Sequence, residues 1–104
     1  MADSKKVLTS TEIADAALAD WQQDGDTLTT RFATGDFATG LEFVNRIGAA
    51  AETANHHPDL TLTYPEVTVT LTSHDVGGIT SRDLELARVI SEHAVQLDIT
   101  ASRG

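Results

Sequence analysis

Four histidines occur in the 104 residues, and three of them, His56, His57 and His74, fall within nineteen positions. Imidazole is the side chain that gives and takes protons near neutral pH, so such a cluster points to acid–base chemistry or to metal binding. His56 and His57 stand in the run Asn55-His56-His57-Pro58, and a proline disfavours helix just before itself. The pair therefore belongs to a fixed loop that can present two imidazoles to a pocket. His74 stands in Ser73-His74-Asp75-Val76-Gly77-Gly78, where the glycines let the backbone turn sharply and approach another group closely.

Three imidazoles can hold zinc with one position open. Adjacent histidines seldom point the same way, however, and common zinc motifs space their ligands by two or more residues. No metal is expected. Proton transfer needs only two imidazoles facing one substrate from different sides. That suits addition or loss of water, in which one group protonates a departing hydroxyl and another removes a proton. Asp83 has two compatible readings. Three residues after Thr80, it is a capping-box carboxylate stabilised by a helix dipole; it can also orient a histidine, as carboxylates do in catalytic triads. Asp75, beside His74, either does the same or is solvated. Glu52, one helical turn before the pair, lines the site or lies on a solvated face. His93 reads as a surface residue of the last helix. Trp21, the only tryptophan, is a core or interface residue unless it stacks on a flat ring. No GxGxxG, P-loop or GxSxG occurs.

The elements that must hold these side chains are legible in the apolar spacing. Residues 1–8 read as a tail. Thr9 with Glu12 has capping-box spacing, and Ile13, Ala16 and Ala17 form a helical stripe to about Leu18. Trp21 to Gln23, a turn at Asp24-Gly25, and Thr27 to Phe32 read as a hairpin. Asp36 is an N-cap for a principal helix over 37–54, with Phe37, Leu41, Val44, Ile47 and Ala51 as its apolar stripe. Leu60, Leu62 and Tyr64 alternate with threonines, and after a turn at Pro65-Glu66 so do Val67, Val69 and Leu71. That period of two marks a second hairpin with unlike faces. Thr80 caps a third helix with Leu84, Ala87, Ile90 or Val89, and Ala94 inward, and 98–104 read as a second tail. The order α-β-β-α-β-β-α predicts an α+β fold: a four-stranded, mainly antiparallel sheet with helices on one face.

Composition narrows the classes. The length suits a single domain, 9–97. With no cysteine there is no thiolate nucleophile and no Cys-bound zinc, which fits a cytoplasmic setting. No stretch suggests a membrane span or a signal-peptide core. The net charge of −9 repels phosphate backbones and anionic membranes, so direct nucleic-acid or membrane binding is not expected.

The chain resembles the pterin-4a-carbinolamine dehydratase family. The likeness rests on Asn55-His56-His57-Pro58-Asp59, then a strand pair, then Leu71-Thr72-Ser73-His74-Asp75-Val76-Gly77-Gly78-Ile79-Thr80 with Asp83 three residues on. Trp21, Phe32, Asp36-Phe37 and the helix into Ala50 and Glu52 also fall in family order, so the likeness covers about residues 9–97. It implies an enzyme that removes water from 4a-hydroxytetrahydropterins to give quinonoid dihydropterins, in recycling of the tetrahydrobiopterin cofactor of aromatic amino-acid hydroxylases. It implies His56, His57, His74 and Asp83 as catalytic residues, with Trp21, Glu52, Asn55, Pro58, Ser73 and Asp75 around the substrate. It further implies no cofactor and a homodimer or homotetramer. Some relatives also act as a dimerisation partner of a transcription factor, so a non-catalytic assembly role is the alternative. Two departures stand out: Leu60 where many members carry an aromatic residue, and Ser73 where threonine is frequent.

Overall fold

The computed structural model describes residues 5–102. Helix α1 spans Ser10–Asp15 behind a complete capping box, in which Thr9 Oγ1 accepts from the Glu12 amide and Glu12 returns the bond to the Thr9 amide. It ends short of Leu18 because Ala17 adopts a left-handed φ of 54° and turns the chain. Strands β1 (Gln22–Asp24) and β2 (Thr27–Ala33) follow. Asp24 pairs with Thr27, so the tight turn is Gly25-Asp26, one residue later than the sequence suggests, and Gly25 supplies its positive φ of 58°.

Helix α2 runs Phe37–Ala54, with Asp36 accepting from the Thr39 amide at 2.7 Å. Its buried face is Gly40, Phe43, Ile47 and Ala51. The expected stripe is therefore rotated: Phe37 and Leu41 stand 49% and 46% exposed, while Gly40 lets the helix approach Leu62 and Thr34. Strands β3 (Asp59–Leu62) and β4 (Glu66–Leu71) form the second hairpin, and α3 spans Ser81–Gln96. The buried face of α3 is Asp83, Leu86, Ala87, Ile90 and Ala94, with Val89 turned outward.

The sheet order is β1-β2-β4-β3, antiparallel throughout. Alternation does its expected work. Leu28, Phe32, Val67, Val69 and Leu71 point into the core with the helices, and threonines line the opposite face. Phe32 meets Phe43 edge to face, with centroids 5.2 Å apart.

The described parts of both segments expected as tails, residues 5–8 and 98–102, carry structure, while residues 1–4 and 103–104 lie outside the described residues. Asp98 takes a φ of 59° and reverses the chain, Ile99 is buried, and Thr100–Ala101 form a fifth strand, β5, against Ala33 and Phe32 of β2. Two residues are too short for an alternation signal, which is why a four-stranded sheet was the expectation. At the other end, the Leu8 amide donates to the Ile79 carbonyl at 2.8 Å. Among the described residues no helix is long and apolar enough to cross a membrane.

Candidate active site

Three element ends meet at the histidines: the C-terminus of α2, the N-terminus of α3, and the open end of the β3–β4 hairpin. Asn55 caps α2 in the left-handed conformation, φ 51°, with its amide on the Ala51 and Glu52 carbonyls. That reversal sends His56 inward and His57 outward. Asp59 lies opposite Thr70 and Leu62 opposite Val67. Beyond the paired residues, His56 and Ser73 both bond the Asp83 carboxylate. The two histidine motifs, far apart in the chain, are thus brought together where this hairpin meets the start of α3.

Asp83 is the centre of the arrangement. Its side chain is fully buried, yet its carboxylate accepts three hydrogen bonds. Ser73 Oγ and the Thr80 amide donate to Oδ2 at 2.8 and 2.9 Å, and His56 Nε2 lies 2.5 Å from Oδ1. Ser73 Oγ also lies 2.8 Å from Thr80 Oγ1. A buried carboxylate is tolerated only when its lone pairs are met in this way. Both sequence readings of Asp83 hold together: one oxygen caps α3 and the other grips His56. With Nε2 engaged, the second nitrogen of His56, Nδ1, is the one left for another partner.

His57 and His74 differ from His56 in being exposed. His57 Nε2 pairs with the Glu52 carboxylate, so Glu52 does turn toward the pair rather than lying unused on the helix. His74 makes no hydrogen bond or ion pair within the chain among the described residues. The loop beneath it is tightly closed, however: the Ser73 amide donates to the Gly78 carbonyl at 2.9 Å, and the Gly77 amide to the Ser73 carbonyl at 2.9 Å. Asp75 is tied to Arg82 at 2.9 Å. The Arg82 hydrogen bond first, and then the charges of Arg82 and Lys5, hold the Asp75 carboxyl below its ordinary value.

Arg82 escaped the sequence reading, and His93 was read only as a surface residue. Arg82 bonds Thr80 Oγ1 and Asp75 and lines a cleft of about 610 Å³ between α2 and α3, with His56 in the same wall. Its place two residues after the N-cap was the available signal. His93, expected at the surface, lines the far part of that cleft, and its Nδ1 is buried without a partner. Eleven residue steps of helix separate Arg82 from His93, about 16 Å, so His93 stands away from the His56–Asp83 pair. Trp21 is not among the residues brought together. It is buried, donates from Nε1 to Ser91 Oγ at 2.9 Å, and borders a separate hollow with Ile13, Leu18 and Leu28. That burial and hydrogen bond place it as the core residue that was the first of its two readings. Among the described residues, no three of His, Asp or Glu are grouped to hold a metal ion.

The family model described as pterin 4 alpha carbinolamine dehydratase matches residues 6–93, a span that includes every residue of this network. The chain belongs to that family. A Thermosynechococcus vestitus protein, provisionally named a pterin-4-alpha-carbinolamine dehydratase, is 52% identical over 80 residues, covering 77% of this chain and 84% of that protein. A Koribacter versatilis protein with the same provisional name is 40% identical over 89 residues, covering 84% and 95%. Among solved structures, the transcriptional coactivator/pterin dehydratase of Brucella melitensis superposes with a TM-score of 0.79 at 33% identity, covering 84% of this chain and 97% of that one. A pterin dehydratase-like protein identified as a RuBisCO assembly factor in the alpha-carboxysome shares the fold at a TM-score of 0.50 and 24% identity, covering 74% and 84%.

Proposed function

We propose that this protein is a hydro-lyase that removes water from 4a-hydroxytetrahydropterins, with His57 and His74 transferring protons and His56 positioning the pterin ring. The observation that carries the proposal is the buried Ser73–Asp83–His56 network. It fixes one imidazole at the junction of the two histidine motifs and leaves two others exposed beside it. The cap of α3 needs only Oδ2 of Asp83; the bond from Oδ1 to His56 is the part that the acid–base reading uses.

In the reaction one imidazole accepts the proton lost from a pterin ring nitrogen while another donates to the departing 4a-hydroxyl. The carbon–oxygen bond breaks, a carbon–nitrogen double bond forms, and water leaves. The two proton transfers cancel, so no external oxidant or reductant is needed. Glu52 holds His57 by Nε2, which aims its other nitrogen. His74 has both nitrogens free of protein partners among the described residues, on a loop closed beneath it. His56, gripped from behind by Asp83, offers a fixed nitrogen against which a planar ring can register.

The resemblance to the family extends the proposal to tetrahydropterin recycling in the cytoplasm by a homodimer or homotetramer. The test is the dehydration rate of freshly generated 4a-hydroxytetrahydropterin, followed by absorbance. Acceleration by the wild type, with a loss of about 10²–10⁴-fold in folded His57→Ala and His74→Ala proteins, is the expected result. A folded wild type that does not exceed the buffer rate would overturn the reading in favour of the assembly role.

A further inference from the structure

We propose that the segment Lys5–Leu8 is a positioning element of the site, bracing the loop that carries His74 through the contact of Val7 with Gly78. The inference rests on the dehydratase reading for its catalytic consequence, though not for its structural content.

Three observations meet on this segment. The Leu8 amide donates to the Ile79 carbonyl at 2.8 Å, which anchors the segment immediately after the loop. Val7 lies on Gly78 so closely that a Cβ built there would stand 2.7 Å from Val7 Cγ1. Lys5 adds its charge to that of Arg82 beside Asp75, the residue next to His74. The segment is itself tied down by the Lys6–Glu12 ion pair, 2.9 Å, which leans on the cap of α1.

Gly78 has no positive φ to explain it; its backbone suits any residue. What a side chain there would meet is Val7. Gly78 also closes the loop, since its carbonyl accepts from the Ser73 amide and the two residues form an isolated β-bridge. Ser73 in turn donates to Asp83 and precedes His74. The contact of Val7 with Gly78 is thereby linked to the residue that precedes His74. Val7 is 47% exposed, so its methyls contribute little to the core and their placement on the glycine is the contact that matters.

The experiment uses size complementarity. Gly78→Ala should force the loop away from Val7 and lower kcat at least about tenfold, since misplacement of about 1 Å can cost up to roughly 10²-fold, with KM within about twofold of wild type. Val7→Ala/Gly78→Ala should recover kcat to within about threefold. In parallel, Leu8 amide exchange and the His74 ring-proton chemical shift should change in the single variant and return in the double. A Gly78→Ala protein with wild-type kcat and His74 shift overturns the proposal, and so does a double variant as impaired as the single. Should Gly78→Ala not fold, a chain lacking residues 1–7 decides: the brace requires a lower kcat and a moved His74 resonance, and unchanged values refute it. If the wild type shows no dehydration at all, the dehydratase reading falls alone, because the two spectroscopic readouts need no turnover.

Discussion

Replacing Asp83 by asparagine changes one atom and tests the whole network. The wild-type carboxylate takes two donors on Oδ2, Ser73 Oγ and the Thr80 amide, and His56 Nε2 on Oδ1. Asparagine has a single oxygen, and it must stay with the pair of donors. Its NH₂ group then faces His56 Nε2, which has to become an acceptor. The imidazole proton moves to Nδ1, and the nitrogen offered to the pterin changes from acceptor to donor. A mismatched polar contact in a desolvated site costs about 1–3 kcal/mol, which corresponds to a fall of roughly five- to 150-fold in kcat/KM. Stability should change less. A charge-assisted bond is replaced by a neutral one, at about 1–2 kcal/mol, partly offset by relief from burying the charge. For a domain of this size that is a drop of several degrees in Tm. The assays are the dehydration rate, thermal unfolding by circular dichroism, and the ¹⁵N shifts of the His56 ring, which distinguish the tautomers. A folded Asp83→Asn protein with kcat/KM within twofold of wild type and an unchanged His56 tautomer would refute the reasoning.

Two further expectations are separate from that network. Trp21→Phe removes the bond to Ser91 Oγ but keeps the apolar bulk, so stability should fall by about 1 kcal/mol, near 4–8 °C in Tm, with KM unchanged; a raised KM would return Trp21 to the substrate. Acid should destabilise the fold through Glu12, Asp36 and Asp75, whose carboxyls are held below ordinary values of 4.5, 3.8 and 3.8 by hydrogen bonds from Thr9, Thr39 and Arg82 respectively. Because the folded-state values are the lower ones, the stabilisation is complete above the unfolded values and is lost as pH falls through them and on through the folded ones. Urea midpoints should therefore decline as pH falls through and below the ordinary carboxyl values, and a flat profile would contradict the cap and ion-pair geometry.

The parts of this protein that were legible in the sequence are those governed by local rules. Thr9–Glu12, Asp36 and Thr80–Asp83 announce helix starts because an N-cap is satisfied within four residues. The threonine alternation announces strands because the side-chain period is two. What stayed hidden depends on distant partners. The rotation of α2 that exposes Phe37 and buries Gly40 is set by Leu62 and Thr34 across the interface, which no periodicity within the helix reveals. The short β5 finds a place because β1 pairs only with Thr27–Thr29 and leaves Phe32 and Ala33 of β2 open on that side. Trp21 was ambiguous until Ser91, seventy residues away, supplied its acceptor. At the site, the histidine motifs marked the residues that meet there, but the parts of Arg82 and His93 required the α2–α3 cleft to be seen.

The same buried carboxylate has a bearing on how the chain finds its fold. A β-hairpin can slip by one residue, and every side chain then changes face. Here a slip would carry Val67, Val69 and Leu71 out of the core and put threonines in their place. Asp83 adds to that cost, because Ser73 would move away from it and a buried negative charge would lose a donor in an apolar interior. The residue that orients a histidine in the finished protein therefore also discriminates against mispaired strands during folding, so that the site and the correct strand register form together.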